Sequence, residues 1–281
     1  MQNGPTLQFF EVKNMIDIIV LTFNQEEHTI KCLESIREHT DNYRLVWVDN
    51  GSSIKSRQKV MPYFCKHKKR LSLWIQKNLG FVGGINAGLD NLMNVQKIKS
   101  KYIVLQNNDT IVTKGWLSSM SKILEDHPNI AAVGPVSSVE KSVHCFKRLC
   151  EENNLRCDPS FYLMNREDRS EYLKSNFKNM FCEAIENLKP PKVKMIAFFS
   201  SIIRRSVFEE VGILDDNYGV GLCDDRDYCQ RLYDVGYTCA VALDSYVEHN
   251  HSTTFKSTFK PFQIEKIYKD NLNKFKEKHK L

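Results

Sequence analysis

Short apolar runs of strand length alternate along the first half of the chain with segments of helical spacing. Ile16–Leu21 is apolar and β-branched apart from Asp17, a pattern that predicts a buried first strand. From about Glu26 to Glu38 the residues Ile30, Leu33 and Ile36 share one face, which predicts a helix. Leu45–Val48 and Leu71–Ile75 read as the second and third strands, separated by a charged helix reaching about Lys66. Gly80-Phe81-Val82-Gly83-Gly84 opens a helix carrying Ile85, Leu89 and Leu92. Tyr102–Gln106 and Ile130–Val136 supply the fourth and fifth strands. Strands alternating with helices in this way predict an α/β fold with a mostly parallel central sheet.

Glu140–Pro191 breaks the rhythm. It is rich in Asn, Lys and Glu, yet Phe177, Phe181, Ile185 and Leu188 recur at helical spacing until Lys189-Pro190-Pro191 stops the turn. The segment reads as a helical insertion at about 140–192, either a lid or acceptor-binding wall or a plain surface excursion. Regular structure is expected again from Val193 to Ile203, with a helix over Asp225–Tyr233 and a strand over Thr238–Leu243. Residues 261–281 place Ile264, Ile267, Tyr268, Leu272 and Phe275 on one face and lysines on the other. This amphipathic C-terminal helix packs on the body or docks peripherally on a membrane surface.

Composition narrows the class. A 42% hydrophobic content over 281 residues excludes global disorder. No apolar run approaches the ~20 residues of a membrane span. Met1–Asn14 lacks the pattern of a secretory signal, so a cytoplasmic protein is expected. Nine scattered cysteines, an odd number, suit reduced thiols; Cys145, Cys150 and Cys157 cluster without the spacing of a zinc site. A net charge of +6 suits any anionic ligand and selects none.

The candidate chemistry sits at strand ends. Asn107-Asn108-Asp109 follows the fourth strand, where open α/β sheets bind ligands, and a carboxylate there can hold a divalent cation against a diphosphate. The same tripeptide also suits a simple turn. A nucleotide base needs a flat apolar contact and directional polar groups, available in Phe23 with Asp49 or Asn50. Gly83-Gly84 at a helix start lets backbone amides approach phosphate or sugar. Asp224-Asp225 opens a helix, and Asp227 and Arg231 are spaced for an ion pair on it.

In order, these clusters resemble the family 2 glycosyltransferases of the GT-A fold, over about residues 15–255. The motifs that carry the likeness are Leu21-Thr22-Phe23-Asn24, Val48-Asp49-Asn50-Gly51-Ser52, Asn78–Gly88, Leu105–Thr110, Arg204–Gly212, Asp224–Leu232 and His249-Asn250-His251-Ser252. The combination looks most like the rhamnosyltransferase and galactofuranosyltransferase branch. The resemblance implies a GT-A domain over 1–260, followed by the C-terminal helix, and inverting, metal-dependent transfer from a UDP- or dTDP-sugar. It implies that Asp109 holds Mn²⁺ or Mg²⁺ together with His249, His251 being the competitor for that role, and that Asp225 is the catalytic base. Thr22, Phe23, Asn24, Asp49, Asn50, Gly83, Gly84, Asn107, Asn108 and Asp224 are then expected to meet the nucleotide sugar. Two positions depart from the family pattern: Asn107 replaces the first acid of the metal signature, and Asn50 stands where an acid often reads the base. The acceptor is a hydroxyl of a glycan, a lipid-linked glycan, a protein or a modified nucleic acid.

Two rival readings are carried. A nucleotidyltransferase would favour a glycine-rich basic loop after the first strand, but Leu21–Glu27 is acidic and contains no glycine. A degenerate nucleotide-sugar-binding module without turnover draws its support from Asn107.

Overall fold

The β-branched run Ile16–Thr22 forms strand β1, which lies parallel between β2 (Tyr43–Asn50) and β4 (Tyr102–Asn107). Strand β3 (Arg70–Ile75) continues the parallel set beyond β2. These assignments come from a computed structural model that describes residues 15–96, 99–137, 144–156, 158–183, 195–250 and 258–281. Helices α1 (Glu26–His39), α2 (Ile54–Phe64) and α3 (Gly80–Asp90) make the crossovers. Two acids open α1 and Arg37 lies in its last turn, charges of the sign that the helix dipole favours at each end. Ser53 caps α2 by accepting the Ser56 amide. The chain leaves β1 toward β2 on one side and has β4 on the other. That change of direction opens a crevice at the carboxyl ends of the strands.

Beyond β4 the sheet becomes mixed. The strand order is β3-β2-β1-β4-β8-β6-β9-β5, with β7 also pairing β9. Strand β8 (Ser200–Arg204) runs antiparallel between β4 and β6 (Ile130–Val136), so β6 and its parallel neighbour β9 (Thr238–His249) point the same way as β1–β4. The short strands β5 (Thr110–Val112) and β7 (Phe181–Glu183) lie antiparallel on β9. The register of β9 against β6 shifts between Pro135 and Val136. Such a bulge bends a strand. It separates the stretch of β9 held in the main sheet from the stretch that receives β5.

Both faces of the central strands are apolar, as strands covered on two sides require. Ile18, Val20, Leu45, Trp47 and Val104 pack with α1, α2 and α4 (Trp116–Asp126). Ile19, Val46, Val48, Ile103 and Leu105 face the other layer. That layer comprises α3, α5 (Phe146–Glu152), α6 (Arg166–Phe177), α7 (Arg205–Val211) and α8 (Asp224–Asp234).

The region after residue 140 departs from its sequence pattern. Phe177 ends α6, and Phe181 belongs to β7 rather than to the same helix. The helical spacing of these phenylalanines is coincidental: Phe177 meets the Phe146 ring at 5.6 Å, whereas Phe181 meets His127 at 4.8 Å on a sheet edge. Asn179, with φ 61°, makes the turn between them. Ile185, Leu188 and the proline pair lie outside the described residues. Arg166–Phe177 is strongly polar and showed no clear stripe, yet Asn165 caps it by accepting the Asp168 amide, and Leu173 and Phe177 are buried. Regular structure expected from Val193 begins at Ser200. Met195, Ile196, Phe198 and Phe199 are buried without being in a strand. The C-terminal helix, α9 (Pro261–His279), forms as expected. Its second half packs on the body through Asn271 and Phe275, while Phe262 is exposed.

At the amino end of the sheet, away from the crevice, Asp17 accounts for the single polar position in β1. It is fully buried and takes a two-bond contact from Arg44, opposite it on β2, at 2.7 and 3.1 Å. Arg205 of α7 reaches its other side at 2.9 Å and Ser100 at 2.6 Å. Removing the carboxylate strands two buried guanidinium groups, a loss of about 3–5 kcal/mol. Asp17→Ala is therefore expected to lower the unfolding free energy from urea denaturation by that order, and a change within the error of denaturation would show that the cluster is stabilised otherwise.

Candidate active site

The turn Asn107-Asn108-Asp109 leads directly from β4 into β5, and β5 pairs with the last residues of β9 so that Thr110 faces His249. The Asn250 amide donates to the Asp109 carbonyl at 2.9 Å, closing the ladder. Residues 140 apart in sequence thus place His249 Nε2 3.2 Å from Asp109 Oδ1, with side chains 11% and 6% exposed. Phe199 stacks on the His249 ring at 4.7 Å with the planes 7° apart. His144 meets the other side of this arrangement, edge-on to Phe199 at 4.9 Å. Its Nε2 accepts the Ala197 amide at 2.8 Å, so its proton is on Nδ1, 2.6 Å from the Pro135 carbonyl. Burial pushes the His144 pKa down to about 4; the Pro135 bond opposes this and nearby His249 adds to it. His144 is a neutral spacer, fixed by both ring nitrogens.

Asp109 and His249 offer one carboxylate oxygen and one imidazole nitrogen side by side, a hard and borderline donor pair suited to Mn²⁺ or Mg²⁺. No cluster of three or more His, Cys, Asp or Glu forms among the described residues. Two protein ligands fit a cation whose remaining positions are taken by diphosphate oxygens and water. His251, the competing histidine, lies outside the described residues.

The residues expected to meet the nucleotide sugar divide into groups that face the crevice and groups that build it. Thr22 Oγ1 accepts the Trp47 indole N–H at 2.8 Å. Asn24, at φ 53°, ties its loop to the next, donating its amide to Ser52 Oγ at 2.8 Å and accepting the Ser53 amide at 2.9 Å. Asp49 Oδ1 accepts the Ser52 amide and pairs with Arg57 at 2.8 Å, and that guanidinium lies 5.3 Å above the Trp74 ring. Asn50 is fully engaged. Its amide donates to Asn78 Oδ1 at 3.0 Å and to the Gly80 carbonyl at 2.8 Å, and its oxygen accepts the Leu79 amide at 2.9 Å. Asn108 donates to Thr29 of α1 at 2.9 Å. Phe23 and Asn107 remain partly exposed.

The glycines separate in the same way. A Cβ on Gly84 would fall 2.4 Å from Leu21 and 3.0 Å from Asn50, so this glycine permits packing of α3 against β1 and β2. Gly83 would meet Leu79 alone and is half-exposed. Gly80, at φ 77°, lies where a Cβ would be 2.6 Å from the Gly219 carbonyl. Its helix thereby holds a loop from the far half of the chain. Asn86 strengthens that hold, donating to the Leu214 carbonyl and Asp216, and accepting the Leu214 amide.

That loop delivers Asp224 and Asp225. Leu222 and Cys223 both have φ 70°, a conformation costing an L-residue about 1–2 kcal/mol. Cys223 occupies the cap position of α8 without a side-chain capping bond, and Asp224 is the first helical residue. Burial raises the Asp224 pKa well above the carboxylate range, and the adjacent Asp225 charge adds to it. Asp225 is half-buried and accepts the Arg226 amide at 2.8 Å. The expected Asp227–Arg231 pair forms at 3.1 Å.

Comparison with known proteins gives this arrangement a family. The model of glycosyl transferase family 2 matches residues 17–212. The chain belongs to glycosyl transferase family 2. A curated relative, the rhamnosyltransferase WbbL of Escherichia coli K12, is 24% identical over 258 residues, which cover 88% of this chain and 89% of the relative. The glycosyltransferase GlyA of Streptococcus pneumoniae is 26% identical over 48% of this chain, which spans 18% of GlyA. Among solved structures, the mannosyltransferase PcManGT of Pyrobaculum calidifontis, in complex with GDP-Man and Mn²⁺, superposes with a TM-score of 0.56 at 16% identity. The superposition covers 83% of this chain and 56% of that one. S. aureus TarS 1–349 in complex with UDP-GlcNAc gives 0.55 at 16% identity, covering 88% and 62%. These likenesses establish the GT-A fold, and this family 2 glycosyltransferase is an enzyme.

Sequence reading of this transferase missed Phe199, His144, Arg57 and the loop from Asp215 to Cys223. Asn86 was visible inside the glycine motif, but its partner was not. Two outcomes follow from the geometry. Asn50→Asp keeps the acceptor for Leu79 but loses both donors, at a cost of about 1–3 kcal/mol in urea denaturation. An unchanged midpoint would mean that the turn closes without them. For His144 the folded pKa, about 4, lies below the ordinary 6.5, so its contribution is present above pH 6.5 and is lost as pH falls toward 4. His144→Leu is expected to flatten the stability–pH curve across that window; an unaltered slope would reassign it.

Proposed function

We propose that the chain is an inverting, divalent-metal-dependent glycosyltransferase that moves a sugar from a UDP- or dTDP-sugar to an acceptor hydroxyl in glycan or glycoconjugate synthesis. The observation carrying this reading is the convergence of Asp109 and His249 at 3.2 Å, at the carboxyl ends of β4 and β9. Mn²⁺ or Mg²⁺ bound there supplies positive charge to the leaving nucleoside diphosphate. The GDP-Man, UDP-GlcNAc and Mn²⁺ named for the structural neighbours support a nucleotide-sugar donor and a divalent cation.

Asp225 takes the proton from the acceptor hydroxyl as its oxygen attacks the anomeric carbon opposite the diphosphate. Asp224, whose charge burial disfavours, leaves the negative charge of the pair centred on Asp225. Phe23, Asp49, Asn107 and the amides at Gly83 are the substrate-facing set. Thr22, Asn24, Asn50, Gly84 and Asn108 shape the walls. The acceptor is a glycan, a lipid-linked glycan, a protein or a modified nucleic acid. Exposed Phe262 and Tyr268, with Lys266 and Lys269 alongside, suit the first half of α9 to peripheral contact with an anionic membrane surface. No helix among the described residues is long and apolar enough to cross a membrane.

A thermal-shift screen of UDP- and dTDP-sugars with Mn²⁺, followed by turnover assays, tests the reading. Asp109→Asn is expected to abolish the Mn²⁺-dependent shift. Asp225→Asn is expected to keep the shift and lose turnover by about 10²–10⁴-fold. Wild-type turnover in the Asp225 variant removes the base assignment, and the absence of any nucleotide-dependent shift in the wild type removes the donor site.

A further inference from the structure

The loop that presents Asp224 and Asp225 is held from outside by the last three turns of α9. Asn271 is 3% exposed, an unusual place for an amide on the inner face of a peripheral helix. Its Nδ2 donates to the carbonyls of Tyr218, Gly221 and Leu222 at 3.2, 2.9 and 3.0 Å. Two N–H groups serve three acceptors, so one is shared. Lys274 reaches the Asn217 carbonyl at 2.8 Å and Asn271 Oδ1 at 3.1 Å, orienting the amide. One turn later, Lys278 bridges Asp215 and Asp227, each at 2.7 Å, and His279 Nε2 lies 2.8 Å from Asp227. Asp227 belongs to the first turn of α8, the helix that starts with the acidic pair.

The held segment is the one whose backbone is least content alone. Gly219, Gly221, Leu222 and Cys223 have φ values of 54°, 108°, 70° and 70°. Non-glycine residues persist in this region when their surroundings over-determine them. On its inner side the segment leans on Gly80 and Val82 of α3, while Asn86 holds Leu214 and Asp216 just before it; on its outer side its carbonyls meet Asn271. An apolar residue at 271 would remove the side-chain donor from the Gly221 and Leu222 carbonyls and leave that of Tyr218 with the Gly221 amide, and an aspartate would oppose all three with oxygen.

We infer that Asn271 is a positioning residue for the transfer reaction: its amide fixes the 218–223 backbone and so sets where Asp225 meets the acceptor. The inference rests on the transferase reading above, yet its first consequence needs no turnover. Hydrogen exchange on the 281-residue chain should show the amides of 218–224 exchanging at least tenfold faster in Asn271→Leu and Asn271→Asp than in the wild type, with β1, β2 and β4 unchanged. With the UDP- or dTDP-sugar that the screen identifies, kcat should fall about tenfold to a hundredfold while the donor KM and the Mn²⁺-UDP thermal shift stay within twofold. Phe275→Leu, which loosens the same helix without touching the amide, separates positioning from packing: it should lower the melting temperature and leave kcat within twofold.

Unchanged exchange across 218–224 in both Asn271 variants overturns the inference even if the enzyme is active. So does an equal loss of kcat in Phe275→Leu at matched stability, or a loss in the Asn271 variants that vanishes when the assay is cooled below their unfolding transition. Absence of nucleotide binding by the wild type overturns the transferase reading and leaves the exchange result to decide the strap.

Discussion

The juxtaposition of Asp109 and His249 depends on a ladder of three residue pairs, Thr110–Val112 against Val247–His249. Without it Asp109 would end a turn and His249 would end a strand, with nothing to bring them together. So short a ladder cannot be stable alone, and its reinforcement explains much of the surrounding structure. Thr113 donates to the Tyr246 carbonyl at 2.7 Å, and Ser170 of α6 donates to Thr113 at 3.0 Å. Arg169, also on α6, reaches the Tyr246 hydroxyl at 2.9 Å, and Ser245 bonds the Trp116 carbonyl at 2.9 Å. The polar helix α6 therefore works as a brace. Its aromatic neighbours Phe146, Phe161 and Tyr172 belong to or pack on the main core, which makes this part of the 140–192 segment supporting structure.

The positions of Asp109 and Asp225 were legible in sequence because their flanking elements are locally determined. A β-branched run before Asp109 and an acid-led helix after Cys223 announce themselves by period and end charge. Their supports were not legible, because each joins distant segments. Asn86 to Leu214 spans 128 residues, and Ala197 to His144 spans 53. The helical spacing of Phe177 and Phe181 misled for the same reason: local period says nothing when two residues are buried against different partners. The amphipathic reading of α9 found the helix but not which half is buried, since the inner face there carries an asparagine and a histidine in place of apolar residues.

The two departures from the family pattern have different physical consequences. Asn50 closes the 78–80 turn as both donor and acceptor, a combination a carboxylate cannot offer. The substitution thus exchanges a charged group at the crevice for a rigid entry to α3. Asn107 removes one negative charge beside Asp109 while leaving the backbone turn intact, its amide bonded to the Phe199 carbonyl at 2.8 Å. The same Phe199 stacks on His249, so one residue couples the Asn107 backbone to the histidine. With fewer acids, the proposed cation site would rely more heavily on the geometry of that pair than on charge.

Rigidity is distributed accordingly. On the donor side, side chains of the chain itself fill the hydrogen-bonding needs of the turns, and His144 and Phe199 lock the histidine ring. On the acceptor side proposed above, the acidic pair Asp224-Asp225 rides on a segment with two left-handed non-glycine residues, wedged between α3 and α9. A strained segment persists only while both of its neighbours stay in place. The glycine motif, read from sequence as a phosphate cradle, and the C-terminal helix, read as packing on the body or docking on a membrane, therefore act on the same object from opposite sides. The chain that leads into α8 is thus bonded at Leu214 by a residue 128 positions before it and at Leu222 by one 49 positions after it.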